Sequence, residues 1–348
     1  MKILYITDIH DALKELRVLL RTTEADIYLL CGDILYRAFY DDDKIYQFVC
    51  LQEEFYTLAR KLNQKIYPFD LASDILRFPD KYEDRDVWEA RSVEYRQLFE
   101  KATKTMKEKY EVIEDIIQKY NNGARCVVLP GNYDIDLRYT ALKERDLHYK
   151  SESIQQLKFA GYGGAPIATS GIPEKLAVVY HESQQDGKLF SEPEDFFAET
   201  TPDVMVIHNP AYGFFDRIPG LGHIGSLGIR SYLDNHQPSL VVSGHVHEDY
   251  GVCRRQNTIL MNASNFGGVD SQYGWQNGGV YAELQLNQGQ VTDIHLWQLI
   301  NEEHVPLMRI ENREEGLHGT IIQENRARAS IDLSVFVRDS SGAPADTE

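Results

Sequence analysis

Short apolar runs that each stop at a turn or a polar residue are the feature that most restricts how this chain can fold. Runs of β-branched and aromatic residues with such ends predict strands, and helical patterns separate the early ones. Strand and helix in alternation favour an α/β sheet whose polar residues collect at the carboxyl ends of its strands. The predicted strands cover residues 3–7, 27–31, 125–129, 157–160, 176–180, 204–207 and 240–243.

Helical patterns occur in two regions. Residues 12–21 have helical spacing, and Asp11 is placed to cap the amino end of that helix. Further on, charged stretches carry apolar residues at helical spacing, and Gly123 follows them where a C-cap is expected. We therefore predict a helical insertion at about 40–122, in which the segment 71–86, with a proline inside it, links two helices.

The C-terminal third returns to β structure. Residues 280–286 and 291–297 alternate around an Asn-Gln-Gly-Gln turn and predict a hairpin. One domain is expected over residues 1–310, followed by a C-terminal extension at 311–348. The end of that extension, 339–348, has too little apolar surface to pack and is expected to be mobile.

Composition narrows the choice of partners. Lysine and arginine total 36 against 54 aspartates and glutamates, so the net charge is −18. That charge argues against a nucleic acid partner, whereas a small anion held by a local metal charge remains compatible. No apolar run approaches the ~20 residues of a membrane helix, and the amino end lacks the pattern of a signal peptide. We expect a cytoplasmic protein with no membrane partner, whose four scattered cysteines are free thiols.

Two histidine motifs follow predicted strands. In Thr-Asp-Ile-His, residues two apart in extended chain point to the same face, so Asp8 and His10 can reach one ion. The Asp-x-His spacing occurs three more times in the chain, so this pair alone means little. Ser-Gly-His-Val-His is far rarer at this composition, and it gives His245 and His247 the same geometry.

Three further strands end on residues that can donate an oxygen or a nitrogen. These residues are Asp33, Asn132 and His208. Taken singly, each has a simpler interpretation as a turn, a cap or a satisfied histidine. The functional signal lies in the ordered set of five motifs at five predicted strand ends.

In that order, Asp-x-His, Gly-Asp, Gly-Asn, His and Gly-His-x-His resemble the motifs of the calcineurin-like metallophosphoesterases. The resemblance spans residues 1 to about 269 apart from the insertion, and segment 208–251 is most similar to the branch of bacterial Icc-like and animal metallophosphoesterase-domain proteins. It implies an α/β/β/α sandwich of two mixed sheets flanked by helices. It also implies a dinuclear metal-dependent phosphoesterase that hydrolyses a small phosphodiester or nucleotide-like substrate.

Carried over residue by residue, the resemblance implies two divalent ions that share the carboxylate of Asp33. Mixed carboxylate, imidazole and amide ligands suit Mn²⁺, Fe, Zn²⁺ or, less well, Mg²⁺, and we favour Mn²⁺. In the family mechanism, a hydroxide bridging the metals attacks phosphorus in line, and the metals stabilise charge on the equatorial oxygens. The implied ligands are Asp8, His10, Asp33 and His247 for one ion, and Asp33, Asn132, His208 and His245 for the other.

The sequence departs from the family pattern at Tyr133. Most members have a histidine there, which assists the leaving oxygen and which the following acid, here Asp134, orients. A phenol stays protonated at pH 7 and donates a hydrogen bond, but it is a poorer proton donor than imidazolium. We assign Asp33, Asn132, Tyr133 and Asp134 to the catalytic set and expect weakened leaving-group assistance. The alternative is that Tyr133 only packs over the metals.

Three functional classes compete. The phosphoesterase leads, and a metal-binding pseudoenzyme or interaction module is the second class, motivated by Tyr133 and by the insertion. A nuclease is the third, and the acid-rich composition argues against it. His181 and His223 are candidates to replace the missing acid, although a loop histidine facing water is the simpler interpretation of each.

Two further polar or glycine-rich segments are given no catalytic role. Residues 161–166, Gly-Tyr-Gly-Gly-Ala-Pro, lack the lysine of a P-loop and predict a turn that allows close backbone approach. Asn262 and Ser264 follow a predicted strand and are expected to support the histidines rather than to touch substrate.

Overall fold

The described chain, residues 1–166, 169–271 and 274–342 of a computed structural model, folds as two β-sheets with helices on their outer faces. The strands are β1 (Lys2–Thr7), β2 (Ile27–Cys31), β3 (Arg125–Leu129), β4 (Lys150–Ile154), β5 (Leu157–Tyr162), β6 (Glu182–Gln185), β7 (Lys188–Ser191), β8 (Val204–Ile207), β9 (Arg217–Ile218), β10 (Gly222–His223), β11 (Leu240–Ser243), β12 (Gly251–Arg255), β13 (Thr258–Asn262), β14 (Val269–Ser271), β15 (Gly274–Gln276), β16 (Val280–Asn287), β17 (Gln290–Ile300), β18 (Glu303–Arg313) and β19 (Gly316–Ile321). The helices are α1 (Leu13–Thr22), α2 (Asp42–Lys61), α3 (Pro68–Arg77), α4 (Arg85–Tyr120), α5 (Glu192–Thr200) and α6 (Leu227–Asn235).

Both large sheets are mixed. The first has the order β19-β18-β17-β16-β1-β2-β3, in which β1, β2 and β3 are parallel and β16 to β19 run antiparallel to their neighbours. The second has the order β12-β13-β11-β8-β5-β4, with four parallel central strands and an antiparallel strand at each edge. The parallel strands of both sheets bring their carboxyl ends to one side of the molecule.

The core lies in three layers, between and outside the sheets. Apolar side chains of the two sheets meet in the central layer, for example Leu29 and Val206. Every residue of β2 is buried because the strand is covered on both faces. Helices α1 to α4 pack on the outer face of the first sheet, and α5 and α6 pack on that of the second. This α/β/β/α arrangement confirms the fold class expected from the sequence.

Helices α2, α3 and α4 occupy the region where the sequence predicts an insertion, and their apolar residues join the core beside the first sheet. The buried carboxylate of Glu174 connects all three helices. It accepts hydrogen bonds from Gln52 Nε2 (2.7 Å) in α2, from the backbone N–H of Phe69 (3.0 Å) in α3 and from the Tyr95 hydroxyl (2.7 Å) in α4. The insertion is therefore fixed to the segment that follows β5.

Two local predictions about this half of the chain are wrong. No strand forms over 176–180, because that segment crosses the loop after β3, where Ala177 makes an isolated bridge to Ile135 and no ladder. The predicted link 71–86 is also too long, since Leu71 to Arg77 belong to α3. Pro68 occupies the first turn of that helix, and Leu71 and Ile75 bury one face of it.

Asp11 is not the N-cap of α1, which is a third correction. Ala12 holds that position without a side-chain hydrogen bond. The Asp11 carboxylate instead accepts from the backbone N–H groups of Tyr36 (3.2 Å) and Arg37 (3.1 Å), and from Lys109 Nζ (2.8 Å). A tertiary partner has displaced the local capping interaction that the sequence favours.

The C-terminal part matches the predicted hairpin and extends it. β16 and β17 form that hairpin, with Asn287 paired to Gln290 at its end. β18 crosses residue 310, so the first sheet continues into the predicted extension, and Phe336 beyond it is buried in the central core. Residues 343–348 of the predicted mobile end lie outside the described residues.

The structure also bears on two expectations drawn from composition. All four cysteines are unpaired, and three of them are buried. In the described part of the chain, no helix is both long enough and apolar enough to cross a membrane.

We predict that Tyr95→Phe lowers the free energy of unfolding by about 1–3 kcal/mol, because the buried Glu174 carboxylate loses one of its donors. Urea denaturation followed by circular dichroism measures this change. Tyr67→Phe is the matched control, since Tyr67 also belongs to the insertion but is 42% exposed. Equal losses in the two variants would contradict the role given to Glu174.

Candidate metal centre

The candidate site lies where strands of both sheets end. Each of β1, β2, β3, β8 and β11 is followed within a few residues by one or two potential ligands. Backbone hydrogen bonds join the first two loops, from Asp8 N to Gly32 O (3.1 Å) and from His10 N to Asp33 O (2.9 Å). The two sheets are joined at the same place, because the backbone N–H of His245 donates to Asp8 Oδ2 (3.1 Å).

Several of these residues adopt a backbone conformation that is uncommon outside glycine. The φ angles are 51° at Asp8, 46° at His10, 41° at Asp33 and 71° at His245. Aspartate and histidine tolerate this left-handed region better than most side chains, at a cost of about 1–3 kcal/mol each. Such strain concentrates at functional sites, where the surrounding structure enforces it.

Two glycines allow the loops to approach closely. Gly32 has φ +85°, and a Cβ there would lie 2.0 Å from His208 Nδ1. A Cβ at Gly131 would lie 2.1 Å from Asp33 Oδ1. The glycines of the Gly-Asp and Gly-Asn motifs are thus required because side chains of the neighbouring loops occupy the space that a Cβ would fill.

The structure brings the sequence-predicted ligands into two groups of three. Asp8, His10 and His247 form the first, and each offers one ligand atom within 4.8 Å of the other two. His247 Nε2 lies 3.1 Å from Asp8 Oδ1, and His10 Nε2 lies 3.8 Å from the same oxygen. We call this group the first trio.

Asp33, His208 and His245 form the second trio, again with ligand atoms within 4.8 Å of one another. His208 Nε2 lies 3.5 Å from Asp33 Oδ1 and 3.2 Å from Asn132 Oδ1. The amide nitrogen of Asn132 donates to Thr169 Oγ1 (2.8 Å), which turns the amide oxygen toward His208. Asn132 therefore adds a fourth donor atom to this group.

Asp33 belongs to the second trio and also faces the first. Its Oδ1 faces His208, and its Oδ2 lies 3.9 Å from His10 Nε2 in the first trio. The carboxylate is 2% exposed, so few solvent molecules can screen it. One buried carboxylate thus offers an oxygen to each group.

Unpaired nitrogen atoms test whether these residues suit a metal. Both ring nitrogens of His10 and Nε2 of His245 are buried and have no hydrogen-bond partner among the described residues. An unsatisfied buried polar group costs about 1–3 kcal/mol, and a cation in each trio would be a partner for the unpaired imidazole nitrogen and for the carboxylate of that trio. The residues present therefore fit divalent metal ions.

The pKa values of Asp33 and His245 in the second trio favour cation binding, because they keep the carboxylate of Asp33 negatively charged and the ring of His245 neutral. Burial opposes ionisation of Asp33, but His208 and His10 outweigh it and hold the pKa of this carboxyl well below its usual range. Burial and then the charge of His208 lower the pKa of His245 to about 3. Burial lowers the pKa of His208 too, yet Asp33 and Asp8 overcome it and raise that pKa to about 9. Because a histidine that binds a metal must give up the proton on the ligating nitrogen, a cation at this site would compete with a proton on His208.

Tyr133 lies beside the second trio. Its backbone N–H donates to Asp33 Oδ1 (2.8 Å), and its ring centroid is 5.3 Å from that of Tyr36. Burial, followed by the charge of Asp33, raises the pKa of Tyr133 to about 12. Its hydroxyl therefore remains protonated at neutral pH, and in the described structure it has no protein hydrogen-bond partner.

Asp134 is a buried residue whose carboxylate connects two loops and a helix by hydrogen bonds. Its carboxylate accepts from the backbone N–H groups of Ile34 (3.0 Å), Leu35 (3.2 Å) and Gly131 (2.8 Å), and from the Tyr110 hydroxyl (2.7 Å). These bonds join the loop after β2, the loop after β3 and helix α4. Burial, then the charge of Asp33, raises the pKa of Asp134 to about 7. The geometry gives this residue a positioning role.

The two candidate replacement histidines lie apart from the trios. The His223 ring is partly exposed in β10, and its Nδ1 contacts Asp216 Oδ1 at 2.6 Å. His181 is exposed and lines a cavity of about 410 Å³ together with His148 and Glu192. Neither ring contacts a trio residue within the described structure, so solvent-facing loop histidines remain the simpler interpretation.

Asn262 and Ser264 support the segment that carries His245 and His247. The amide nitrogen of Asn262 donates to the carbonyls of Val246 (2.8 Å) and Asp249 (3.1 Å), and the Ser264 hydroxyl donates to that of His247 (3.2 Å). This confirms the supporting role expected from the sequence.

Sequence reasoning missed two aromatic residues at the site. The Tyr36 ring lies 5.0 Å from that of His10 and 5.3 Å from that of Tyr133, so it spans the space beside both trios. Its position three residues after Asp33 was the one available signal. Trp275 lines a cavity with His10, but it lies far from every motif in the sequence.

Comparison with known proteins finds a family model that matches part of the chain. Residues 91–249 match the family model described as calcineurin-like phosphoesterase. This match covers less than half of the chain. The matched range includes Asn132, His208, His245 and His247, whereas Asp8, His10 and Asp33 precede it.

Two curated relatives share a short segment with the chain. Metallophosphoesterase domain-containing protein 1 of Homo sapiens and that of Mus musculus are each 36% identical to it over 64 residues, which is 18% of this chain and 20% of the relative. The chain thus matches about a fifth of the length of these relatives.

Of two solved structures that align with the chain, one supports the fold. One crystal structure aligns with a TM-score of 0.50 at 19% identity and covers 85% of this chain and 98% of its own. The protein TT1561 of Thermus thermophilus aligns with a TM-score of 0.41 at 12% identity and covers 83% of this chain and 96% of its own. The first of these likenesses agrees with the two-sheet sandwich described above.

Removing one imidazole should weaken metal binding. We predict that Mn²⁺ raises the melting temperature of the wild type after chelation and dialysis, because a ligand at 100 times its Kd stabilises the folded state by about 2.7 kcal/mol. His245→Ala should lose most of that rise, and its metal content by mass spectrometry should fall. His318→Ala, at an exposed histidine of β19, is the control. An undiminished rise in His245→Ala would show that the trios do not bind the ion.

Proposed function

We propose that the protein is a metal-dependent phosphoesterase that hydrolyses a small phosphodiester or nucleotide-like substrate. The observation that carries this proposal is the arrangement of the two trios, in which the buried carboxylate of Asp33 belongs to the second trio and also faces the first. The family match supports phosphoester chemistry, and the substrate and the number of ions are our inference.

The chain's own residues divide into two ligand sets. Divalent ions bound there would supply Lewis acidity toward phosphate oxygens and lower the pKa of a nearby water. Mixed carboxylate, imidazole and amide donors suit Mn²⁺, Fe or Zn²⁺, and we favour Mn²⁺. The proposed sets are Asp8, His10, Asp33 and His247 for one ion, and Asp33, Asn132, His208 and His245 for the other.

The charge balance favours an anionic substrate. Two divalent cations carry four positive charges, and the carboxylates of Asp8 and Asp33 contribute two negative ones. The site would thus hold a local excess of about two positive charges in a protein whose net charge is −18. This excess attracts a phosphate group to one place on an otherwise acidic surface.

Tyr133 is the residue that we expect to assist the leaving group, and it does so only weakly. Its raised pKa keeps the hydroxyl protonated, and the hydroxyl is free to donate a hydrogen bond. A phenol with a pKa of about 12 transfers a proton less readily than an imidazolium does, and general acid catalysis is typically worth about 10²- to 10⁴-fold. We infer a preference for substrates whose leaving group needs little protonation.

A metal-binding pseudoenzyme or interaction module is the second candidate. Tyr133 in place of the usual histidine is the observation that favours it. The two candidates differ in one measurable respect, because a pseudoenzyme would bind the ions and leave an activated ester intact.

Hydrolysis of bis(p-nitrophenyl) phosphate tests the proposal directly. We expect the Mn²⁺-loaded wild type to release nitrophenolate, and Asp33→Asn to fall to the rate of metal-free protein because both ligand sets lose their shared charge. His318→Ala should keep the full rate. An inactive wild type with metal bound at the trios would favour the pseudoenzyme.

The role of Tyr133 can be tested by restoring the family residue. We predict that Tyr133→His raises kcat for a diester with an alkyl leaving group by about 10- to 100-fold and changes nitrophenyl ester turnover little. Tyr133→Phe should leave turnover of the nitrophenyl ester nearly unchanged. If turnover of the alkyl ester is unchanged or lower in Tyr133→His, the hypothesis of weakened acid assistance is wrong and Tyr133 has a packing role.

A further inference from the structure

Trp275 is a large apolar side chain held in solvent beside the candidate metal centre. It lies in β15 of the hairpin β14–β15, opposite Asp270, and it is 61% exposed. Folding normally buries much of an indole ring, since aromatic rings contribute large apolar areas. An exposed one that is held in place therefore has a surface available for a ligand.

The hairpin that carries Trp275 is fixed to the first trio. Gln276 Nε2 donates to Ser264 Oγ (3.0 Å), and Ser264 Oγ contacts the carbonyl of His247 at 3.2 Å. The indole Nε1 donates to Asn277 Oδ1 (3.1 Å). A Cβ at Gly268 would lie 2.3 Å from the ring, so the indole packs directly on that backbone. Trp275 is held in a defined position relative to His247.

Three cavities meet at this ring, and each includes a histidine of the first trio. A cavity of about 330 Å³ contains His247, and one of about 760 Å³ contains His10. The third, of about 370 Å³, is lined by residues of the loops after β1 and β2, of helix α4 and of the β14–β15 region. We call this third cavity the aromatic slot, defined by His10, Tyr36, Tyr40, Lys109, Gly268 and Trp275.

Tyr36 is the second ring of the slot that is fixed by contacts to the site. Its ring centroid is 5.0 Å from that of His10, and the guanidinium carbon of Arg37 lies 5.9 Å from it. Lys109 Nζ lies 4.9 Å from the centroid of Tyr40 and is hydrogen-bonded to Asp11. The slot thus combines aromatic rings with the charged groups of Arg37 and Lys109, which lie over the rings of Tyr36 and Tyr40.

We propose that the aromatic slot binds the nucleobase of the substrate, with Trp275 as the stacking residue that selects nucleoside phosphodiesters. This rests on the phosphoesterase function proposed above and names its substrate class. A nucleobase is apolar on its faces and polar at its edge. Such a ring can stack on the aromatic side chains of the slot while its edge faces the neighbouring charged groups. The volume is within the range of small-molecule pockets. A phosphate at the trios and a base in the slot would belong to one molecule.

Binding of two ligands that differ by the base tests the proposal. Isothermal titration of the Mn²⁺-loaded protein compares adenosine 5′-monophosphate with ribose 5-phosphate. We expect the nucleotide to bind roughly 10- to 100-fold more tightly, because stacking on an aromatic side chain supplies that factor. Trp275→Ala should bring the two affinities close together by weakening only the nucleotide, and Trp275→Phe should keep most of the preference.

Phe190→Ala is the matched control. Phe190 is also an exposed aromatic residue, at 47%, on a two-stranded hairpin, and it lines none of the three cavities described here. It should keep the full preference for the nucleotide. The proposal is overturned if the wild type shows no preference, if Trp275→Ala keeps it, or if both ligands weaken equally.

Failure of this inference is distinguishable from failure of the proposed function. If the protein shows no preference for the nucleotide but still hydrolyses bis(p-nitrophenyl) phosphate, nucleobase binding in the slot is wrong and the phosphoesterase function stands. A base preference that depends on Trp275, in a protein that hydrolyses no ester, would leave the slot as a nucleotide-binding site of a pseudoenzyme.

Discussion

The carboxylate of Asp33 is the interaction on which the rest of the site depends. It is almost fully buried, receives the backbone N–H of Tyr133, and faces histidines on both sides. Burial of an ionised carboxylate is costly unless positive charge and hydrogen bonds compensate it. The loops after β1, β3 and β8 contribute to that compensation. Glycines at 32 and 131 are required because these loops approach too closely for a Cβ.

The insertion is part of the same arrangement. Helix α4 places Tyr110 on the carboxylate of Asp134 and Lys109 on that of Asp11, so one helix contacts the loops after β1 and β3. Lys109 is 3% exposed and also donates to the carbonyl of Arg37, which satisfies a cation that would be costly to bury alone. The insertion therefore stabilises the site loops from the side opposite the second sheet, and it forms one wall of the aromatic slot.

The sequence predicted which residues gather at the candidate metal centre better than it predicted their surroundings, for a physical reason. Asp8, His10, Asp33, Asn132, His208, His245 and His247 each follow a strand, and parallel strands necessarily bring those ends together. The prediction that Asp11 caps α1 was wrong because the Asp11 carboxylate binds a tertiary partner, Lys109, instead of the amino end of the helix. Tyr36 and Trp275 were missed because their place beside His10 depends on how two loops fold toward each other. Segment 176–180 has the composition of a strand but no neighbouring strand to pair with.

The left-handed backbone at the ligand positions has a consequence for divergence within such a site. Asp8, His10, Asp33 and His245 sit at φ values that aspartate, asparagine, histidine and glycine adopt at least expense, and that β-branched side chains resist. Replacement of one ligand type by another is thus compatible with an unchanged loop. A descendant of this chain could exchange an imidazole for a carboxylate, and so alter which ion it prefers, without refolding the scaffold around it.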